Sequence, residues 1–318
     1  MNNDLSWGFF GSGGFGARCL ALLSAWRPPS WIVTSPQRPA GRGKRLTPTA
    51  VDAFAGSELQ GVPLVRSGNA SADADVLALR EKIRVDFCFV IDFGQLITEP
   101  ILGFEESVGC LNIHPSLLPE YRGGAPIQRA LMDCRPKTGV TVFKLAAGMD
   151  SGPILLRREI TVNARDNAET LMERAAIAGA SSFIEHISSR LEESWAFEAQ
   201  DESAATYAPK IRPEEEMIRW ERSSSEICGL VRALAPKPGA WTTARDKRLR
   251  VLSAFPLTPD AESRDAPGTL YGVIEGGVAV GTGEGSIILR EVQPEGKKIQ
   301  RALDWWNGLR AAGGERLS

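Results

Sequence analysis

Asn112, His114 and Asp150 lie in sequence settings that could bring an amide, an imidazole and a carboxylate to one place. The first two belong to Leu111-Asn112-Ile113-His114, whose apolar residues alternate as in a strand. Residues i and i+2 of a strand point to the same face, so the amide and imidazole should stand side by side. Pro115, Pro119, Gly123 and Gly124 follow, and a stretch of that composition does not prolong a strand. The pair is therefore expected at a strand's carboxyl end, where ligands bind in open α/β sheets. Asp150 comes from a second, glycine-flanked turn, Gly148-Met149-Asp150-Ser151-Gly152.

A set of this kind suits the transfer of a carbonyl group to an amine or to water. When a formyl group leaves one nitrogen for another, negative charge gathers on its oxygen in the transition state. A donor fixed at that point is worth about 2.7–4 kcal/mol. Asn112 can donate through its side-chain NH₂ and His114 through a ring N–H. Asp150 is the candidate to set the charge state of His114 and to relay the proton that the attacking amine loses. Each residue also has an ordinary structural reading: a satisfied histidine, a polar residue before a turn, an aspartate that forms one. By themselves the three residues leave both readings open.

The elements that must position them alternate along the first 160 residues. Strand-like runs at Trp7–Phe10, Trp31–Thr34, Phe87–Ile91 and Val108–Ile113 are interleaved with helical patterns at Ala17–Trp26 and Ala74–Ile83. That alternation predicts a mainly parallel sheet wrapped by helices, a Rossmann-like α/β fold. Two more strands, Thr138–Leu145 and Ile154–Ile160, flank the Asp150 turn, and Asn167–Leu191 reads as a long helix with Asp166 as its N-cap. Residues 192–206 are polar and are expected to form a linker. Beyond it, short apolar runs broken by Gly and Pro (Ala240–Thr243, Leu249–Phe255, Gly268–Ile274, Gly277–Gly281, Ser286–Val292) predict a smaller β-barrel. The expected domains are residues 1–191, catalytic, and residues 207–318.

Bulk properties set wide limits. The chain has 318 residues, 43% hydrophobic and 24% charged, with net charge −2, which fits a two-domain globular protein and gives no global sign of nucleic-acid binding. Five cysteines without CxxC spacing, mostly in apolar stretches, read as reduced thiols in a cytoplasmic protein. No apolar run of 18 residues and no basic leader is present, so no membrane partner is expected. A monomer without a metal site is the corresponding expectation, since two histidines and scattered cysteines offer no ligand spacing.

Gly11-Ser12-Gly13-Gly14-Phe15-Gly16 fits the dinucleotide fingerprint G-x-G-x-x-G between a strand and a helix. The acidic residue that would hold a ribose is missing from the second strand, while Arg38 could meet a 2′-phosphate. An NADP-dependent oxidoreductase therefore stays open beside the plainer reading of a tight strand-to-helix turn.

The stretches Leu111–Leu131 (LNIHPSLLPEYRGGAPIQRAL) and Thr138–Leu155 (TGVTVFKLAAGMDSGPIL) resemble the folate-dependent formyltransferases. The resemblance runs from about Trp7 to Asn307 and implies that Asn112, His114 and Asp150 are the catalytic set. Members of that family acting on methionyl initiator tRNA are the most similar, through Pro39-Ala40-Gly41-Arg42-Gly43-Lys44, Ala125-Pro126-Ile127-Gln128, Thr206-Tyr207-Ala208-x-Lys210 and Pro294-x-Gly296-Lys297-Lys298. The resemblance implies 10-formyltetrahydrofolate as formyl donor. The folate would lie against Phe93, Gly94, Leu96 and Ile97 and against Ser116, Leu117, Leu118 and Pro119. It further implies an OB-like second domain that helps hold the tRNA. Relatives that formylate sugar nucleotides or glycinamide ribonucleotide, or hydrolyse formyl-folate, share the fold and are alternatives. The sequence departs from the pattern at Gly13-Gly14, where the family carries a Pro-acidic pair, at Gln37, at Pro115, and at Asp92, where it carries a small residue.

Cationic residues cluster in three places. Arg38, Arg42, Lys44 and Arg45 sit in a Gly/Pro-rich loop spanning 36–48, Arg245 to Arg250 include Arg248, and Lys297 and Lys298 precede Arg301. With Lys210 these are the candidate tRNA contacts, each expected to act on phosphate in a salt-dependent manner largely blind to sequence.

Overall fold

The computed structural model describes residues 5–40, 45–99, 101–102, 108–189, 195–257, 266–309 and 314–318. Arg42 and Lys44 lie outside them. The chain forms two compact units. The first comprises Met1–Gly123, Lys137–Thr161 and Met172–Tyr207, and the second Gly124–Pro136, Val162–Leu171 and Ala208–Ser318.

The strands of the first unit are β1 (Trp7–Gly11), β2 (Trp31–Thr34), β3 (Arg38–Ala40), β4 (Arg45–Thr47), β5 (Leu64–Arg66), β6 (Phe87–Ile91), β7 (Gly109–His114), β8 (Lys137–Lys144) and β9 (Ile154–Thr161). The helices in chain order are α1 (Gly14–Trp26), α2 (Ala50–Glu58), α3 (Ala74–Lys82), α4 (Pro126–Met132) and α5 (Ala168–Ser189). One seven-stranded sheet has the order β5-β2-β1-β6-β7-β8-β9. It is parallel through β7, and β8 and β9 run antiparallel. The order turns back between β1 and β6, the position at which open α/β sheets build their crevices.

Why the centre reads as unbroken apolar runs is visible in its packing. Every residue of β1 and β6 is buried, as in a sheet covered on both faces. On one face Phe89 packs edge-on against Phe183 of α5 at 4.9 Å. Gly179 lets the same helix approach β7, since a Cβ there would come within 2.5 Å of Ile113. On the other face Phe10, Trp31, Val33, Cys88, Val90 and Phe93 form a second cluster. Burying alternate residues on opposite faces leaves Asn112 and His114 together, on the side away from Ile113 and α5.

Two local expectations change. Asn167 rather than Asp166 caps α5, because its Oδ1 accepts from the Thr170 N–H at 2.9 Å. Asp166 instead accepts from the Asn163 N–H at 2.7 Å and holds the turn before the helix. The stretch expected to be a loop contains two short strands, β3 pairing antiparallel to β4. Cys19, Cys88, Cys110 and Cys228 are buried and Cys134 is exposed.

The second unit holds β10 (Ala240–Ala244), β11 (Lys247–Pro256), β12 (Thr269–Ile274), β13 (Gly277–Gly281), β14 (Ser286–Pro294), β15 (Gln300–Arg301) and β16 (Glu315–Arg316), with α4, α6 (Ser224–Leu234) and α7 (Ala302–Leu309). Its antiparallel sheet runs β10-β11-β14-β13-β12-β16. The two edges meet, because Thr243 and Ser318 exchange both backbone hydrogen bonds, at 2.7 and 3.1 Å. That closes the path as a barrel does and leaves no free edge there. A capping box starts α6: Ser223 Oγ accepts from Glu226 N, and Glu226 Oε2 accepts from Ser223 N, satisfying two otherwise orphaned donors. The apolar face of α6 then supplies Ile227, Val231 and Leu234 to the barrel core. Among the described residues no helix is long and apolar enough to cross a membrane.

Candidate active site

His114 ends β7 and is buried, with 5% of its surface exposed. Its Nε2 lies 2.9 Å from the Tyr121 carbonyl. A carbonyl only accepts, so this ring nitrogen carries the hydrogen. Nδ1 is thereby left facing Asp150, whose Oδ2 is 3.7 Å away. That is longer than a hydrogen bond and short enough for a bridging group to exchange a proton with both. The ring is held from the side by Phe143, edge-on at 6.4 Å between centroids.

Asn112, half-buried and two residues earlier on the same face, donates through Nδ2 to the Val90 carbonyl at 2.6 Å. This bond fixes the amide so that NH₂ rather than oxygen faces β6, and it uses one of the two hydrogens. The other remains available to a ligand.

Asp150 lies in the connection between β8 and β9 with φ 49°, the left-handed region that non-glycine residues rarely adopt. Its Oδ2 accepts from the Gly123 N–H at 2.7 Å. Gly123 itself has φ 117°, open to glycine alone at no cost, and so the Gly123-Gly124 pair aims that amide at the carboxylate. Gly152 is needed for a different reason: a Cβ there would sit 1.8 Å from the Lys144 carbonyl. The expected trio is therefore brought together.

Sequence reasoning did not find the groups that hold it. Gln200 donates to the carbonyls of Asp150 and Gly152, and the buried Arg122 binds both Gln200 and Glu202. Bonding to Glu202 holds the Arg122 guanidinium above its ordinary pKa, and bonding to Arg122 holds the Glu202 carboxyl below its own. The doubled glycine after Arg122 is a sequence cue to the bond from Gly123 to the Asp150 carboxylate. Gln200, in a polar stretch without periodicity, offered none.

The expected folate-contacting residues divide in two. Phe93, Ile97, Ser116 and Leu118 are buried. Phe93 packs on Phe10 at 5.7 Å, and Ser116 Oγ donates to the Glu120 carbonyl at 2.6 Å. Gly94 and Leu96 are exposed, and Leu117 and Pro119 half-exposed.

Among the expected tRNA contacts, Arg38 and Arg45 are exposed on β3 and β4, and Lys210 is exposed in the second unit with its stem over Gly124. Arg248 stacks over the Trp241 ring at 4.4 Å and reaches Glu216 at 3.4 Å. Lys297 and Lys298 are exposed. Lys297 lines a cavity of about 360 Å³ together with Arg245, Lys247, Arg248 and Trp305.

The dinucleotide reading of Gly11–Gly16 is overturned at the turn itself. The Asp92 carbonyl takes the N–H groups of Ser12 and Gly13, and its carboxylate takes that of Phe15 at 3.2 Å. The amides that a diphosphate would use are occupied, and a carboxylate stands where the anion would sit.

An amide, an imidazole and a carboxylate gathered at the carboxyl end of β7 in a Rossmann-like sheet are groups suited to acyl transfer. The formyl transferase model matches residues 29–187 and the model for the formyl transferase C-terminal domain matches residues 210–310. The chain belongs to the formyl transferase family. Within it, the methionyl-tRNA formyltransferase of Geobacter metallireducens is 35% identical over 90% of this chain and 89% of its own length. That of a Jannaschia species is 37% identical over 97% and 98%. Among solved structures, methionyl-tRNA formyltransferase from Clostridium thermocellum superposes with TM-score 0.55 at 16% identity, covering 80% of this chain and 95% of that one. HypX from Aquifex aeolicus in complex with tetrahydrofolic acid gives 0.60 at 14%, covering 97% of this chain and 48% of that one. At such identities the structural likeness bears on the fold.

Proposed function

We propose that this enzyme transfers the formyl group of 10-formyltetrahydrofolate to the amino group of methionyl initiator tRNA, yielding N-formylmethionyl-tRNA. The observation that carries the reading is the family membership over both halves of the chain, joined to one site that holds Asn112, His114 and Asp150. Named relatives covering about nine-tenths of the chain act on methionyl-tRNA, and a cytoplasmic location is consistent with a substrate of that kind.

In the reaction the amine nitrogen bonds to the formyl carbon and the bond from that carbon to the donor nitrogen breaks. One proton leaves the amine and one reaches the departing nitrogen. Asn112, with its remaining Nδ2 hydrogen, and His114, as the imidazolium with a second hydrogen on Nδ1, stabilise the negative formyl oxygen. Asp150 takes the amine's proton. Its Oδ2 is turned to Gly123 and His114, and Oδ1 accepts no hydrogen bond among the described residues. Proton relay of this kind contributes about 10²–10⁴-fold.

Folate would lie on Gly94, Leu96, Leu117 and Pro119, with buried Phe93, Ile97, Ser116 and Leu118 contributing backbone groups and a firm floor. This mixture of apolar surface and main-chain polar groups fits a pterin ring. The tRNA would be held through Arg38, Arg42, Lys44 and Arg45 and through Lys210, Arg248, Lys297 and Lys298. In domain terms, residues 1–191 would carry the chemistry and residues 207–318 the tRNA contacts, joined by residues 192–206.

The test is formyl transfer from 10-formyltetrahydrofolate to initiator methionyl-tRNA, with elongator methionyl-tRNA and a tRNA-free reaction beside it. Formylation of the initiator alone is expected. Release of tetrahydrofolate without a formylated product would replace this reading with hydrolysis.

A further inference from the structure

We propose that Gln200 is a positioning residue for catalysis, clamping the Asp150 turn with the buried Arg122 behind it, which the exposed Glu202 holds in place. The inference rests on the role proposed above for Asp150.

The bonding of Gln200 is complete. Its Oε1 accepts from Arg122 Nε at 3.2 Å and Nη2 at 2.7 Å. Its Nε2 donates to the Asp150 carbonyl at 2.8 Å and the Gly152 carbonyl at 2.7 Å. Two donors and two lone pairs are all that an amide has. The guanidinium can only donate, so it forces Oε1 to its own side and NH₂ toward the turn. The orientation of the amide is thereby decided by Arg122.

Arg122 is in turn decided by Glu202. Its side chain is 2% exposed, and a guanidinium removed from water needs its charge matched. Glu202 supplies this with two bonds of 2.8 Å, to Nη1 and Nη2. The main chain of Arg122 is tied as well, its N–H donating to the Thr206 carbonyl at 2.8 Å. The next residue, Gly123, donates to the Asp150 carboxylate. One buried arginine therefore fixes the backbone of Asp150 through Gln200 and lies beside the amide that fixes its carboxylate.

The target of the clamp is a residue that needs one. Asp150 is at φ 49°, where an L-residue persists only if its surroundings over-determine it. Bonds to its own carbonyl and to that of Gly152 tie the turn down before and after Ser151. Loosening them would let the carboxylate leave its 3.7 Å station beside His114, and misplacement by about 1 Å can cost about 10²-fold in rate.

The experiment compares Gln200→Leu, Glu202→Gln and Asp150→Asn with the wild type for kcat, KM for methionyl-tRNA, the pH profile of kcat, and thermal melting. Gln200→Leu keeps the bulk and removes both donors. The expected result is a kcat lowered by about 10²-fold, KM within about two-fold, and a displaced pH profile. Glu202→Gln keeps a neutral partner for Arg122 on an exposed side chain, so it secures the test if Gln200→Leu does not fold. A kcat lowered several-fold with an unchanged KM is expected for it. If Asp150→Asn is inactive while the folded Gln200 and Glu202 variants keep the wild-type kcat and pH profile, the clamp is refuted and the site reading stands. If Asp150→Asn itself turns over normally, the site reading falls and the clamp with it.

Discussion

Gly13 and Asp92 fit as a pair: a Cβ added at Gly13 would lie 1.9 Å from Asp92 Oδ2. The carboxylate needs the space because it accepts from the Phe15 N–H at the start of α1, where a negative group also meets the positive end of the helix dipole. The two departures from the family pattern noted in the sequence are thus one feature. An acidic group missing from the first turn at Gly14 is supplied across the turn by Asp92, and Gly13 makes room for it.

Non-additivity follows from that fit. Gly13→Ala should destabilise the wild type by about 1–3 kcal/mol through overpacking. In an Asp92→Gly background the same change should cost little. Denaturant titration of the two single variants and the double variant gives the coupling. Equal costs of Gly13→Ala in both backgrounds would break the pairing argument.

Asp150→Asn separates placement from proton transfer. The amide oxygen can still accept from Gly123, so the turn should keep its form and the melting temperature should stay near that of the wild type. Turnover should fall about 10²–10⁴-fold while the dissociation constant for tRNA holds. A large loss of tRNA affinity in this variant would show that Asp150 belongs to binding rather than to chemistry.

How much of this was legible in the sequence depends on whether the cause is local. The strands around Asp150, expected at Thr138–Leu145 and Ile154–Ile160, form at Lys137–Lys144 and Ile154–Thr161, since alternation and turn residues are neighbours in sequence. Asn112 and His114 share a face for the same reason. The three-residue β5 has too few residues to show a period. The β3–β4 pair is masked by Pro39 and its cationic neighbours, which read as loop. Gln200 was illegible because all four of its bonds reach residues at least 48 positions away.

The Arg129–Glu215 pair makes a pH-dependent contribution inside the second unit. Arg129 Nη1 meets Glu215 Oε1 at 2.6 Å and Nη2 meets Oε2 at 3.1 Å. Bonding to Arg129 first, and to the Arg212 N–H after it, pulls the Glu215 carboxyl from 4.5 down to about 2. The folded state thus binds the proton less readily than the unfolded state. The contribution is full above about pH 4.5 and is lost as the pH falls toward 2. Glu215→Gln should accordingly be less stable than the wild type at pH 7, with the gap narrowing toward pH 2. Urea titrations across that range decide it, and a gap independent of pH would remove the ion pair as its cause.

Salt dependence distinguishes the basic residues of the second unit from one another. Lys297 and Lys298 are exposed in the turn that follows β14, and no salt bridge between described residues takes either, so phosphate binding costs them no existing pair. Arg248 is already committed to Trp241 and Glu216, and its loss removes packing as well as charge. Replacing both lysines by alanine should therefore lower the salt slope of tRNA affinity by about 0.9 for each duplex phosphate released, about 1.8 in all. Arg248→Ala should lower the melting temperature and change the slope by less than either lysine. The measurement is tRNA binding from low to moderate salt, with melting curves of the same variants. A double lysine variant whose slope matches the wild type would take Lys297 and Lys298 out of the tRNA interface. Initiator and elongator tRNA should lose affinity alike, because a phosphate contact carries no base information.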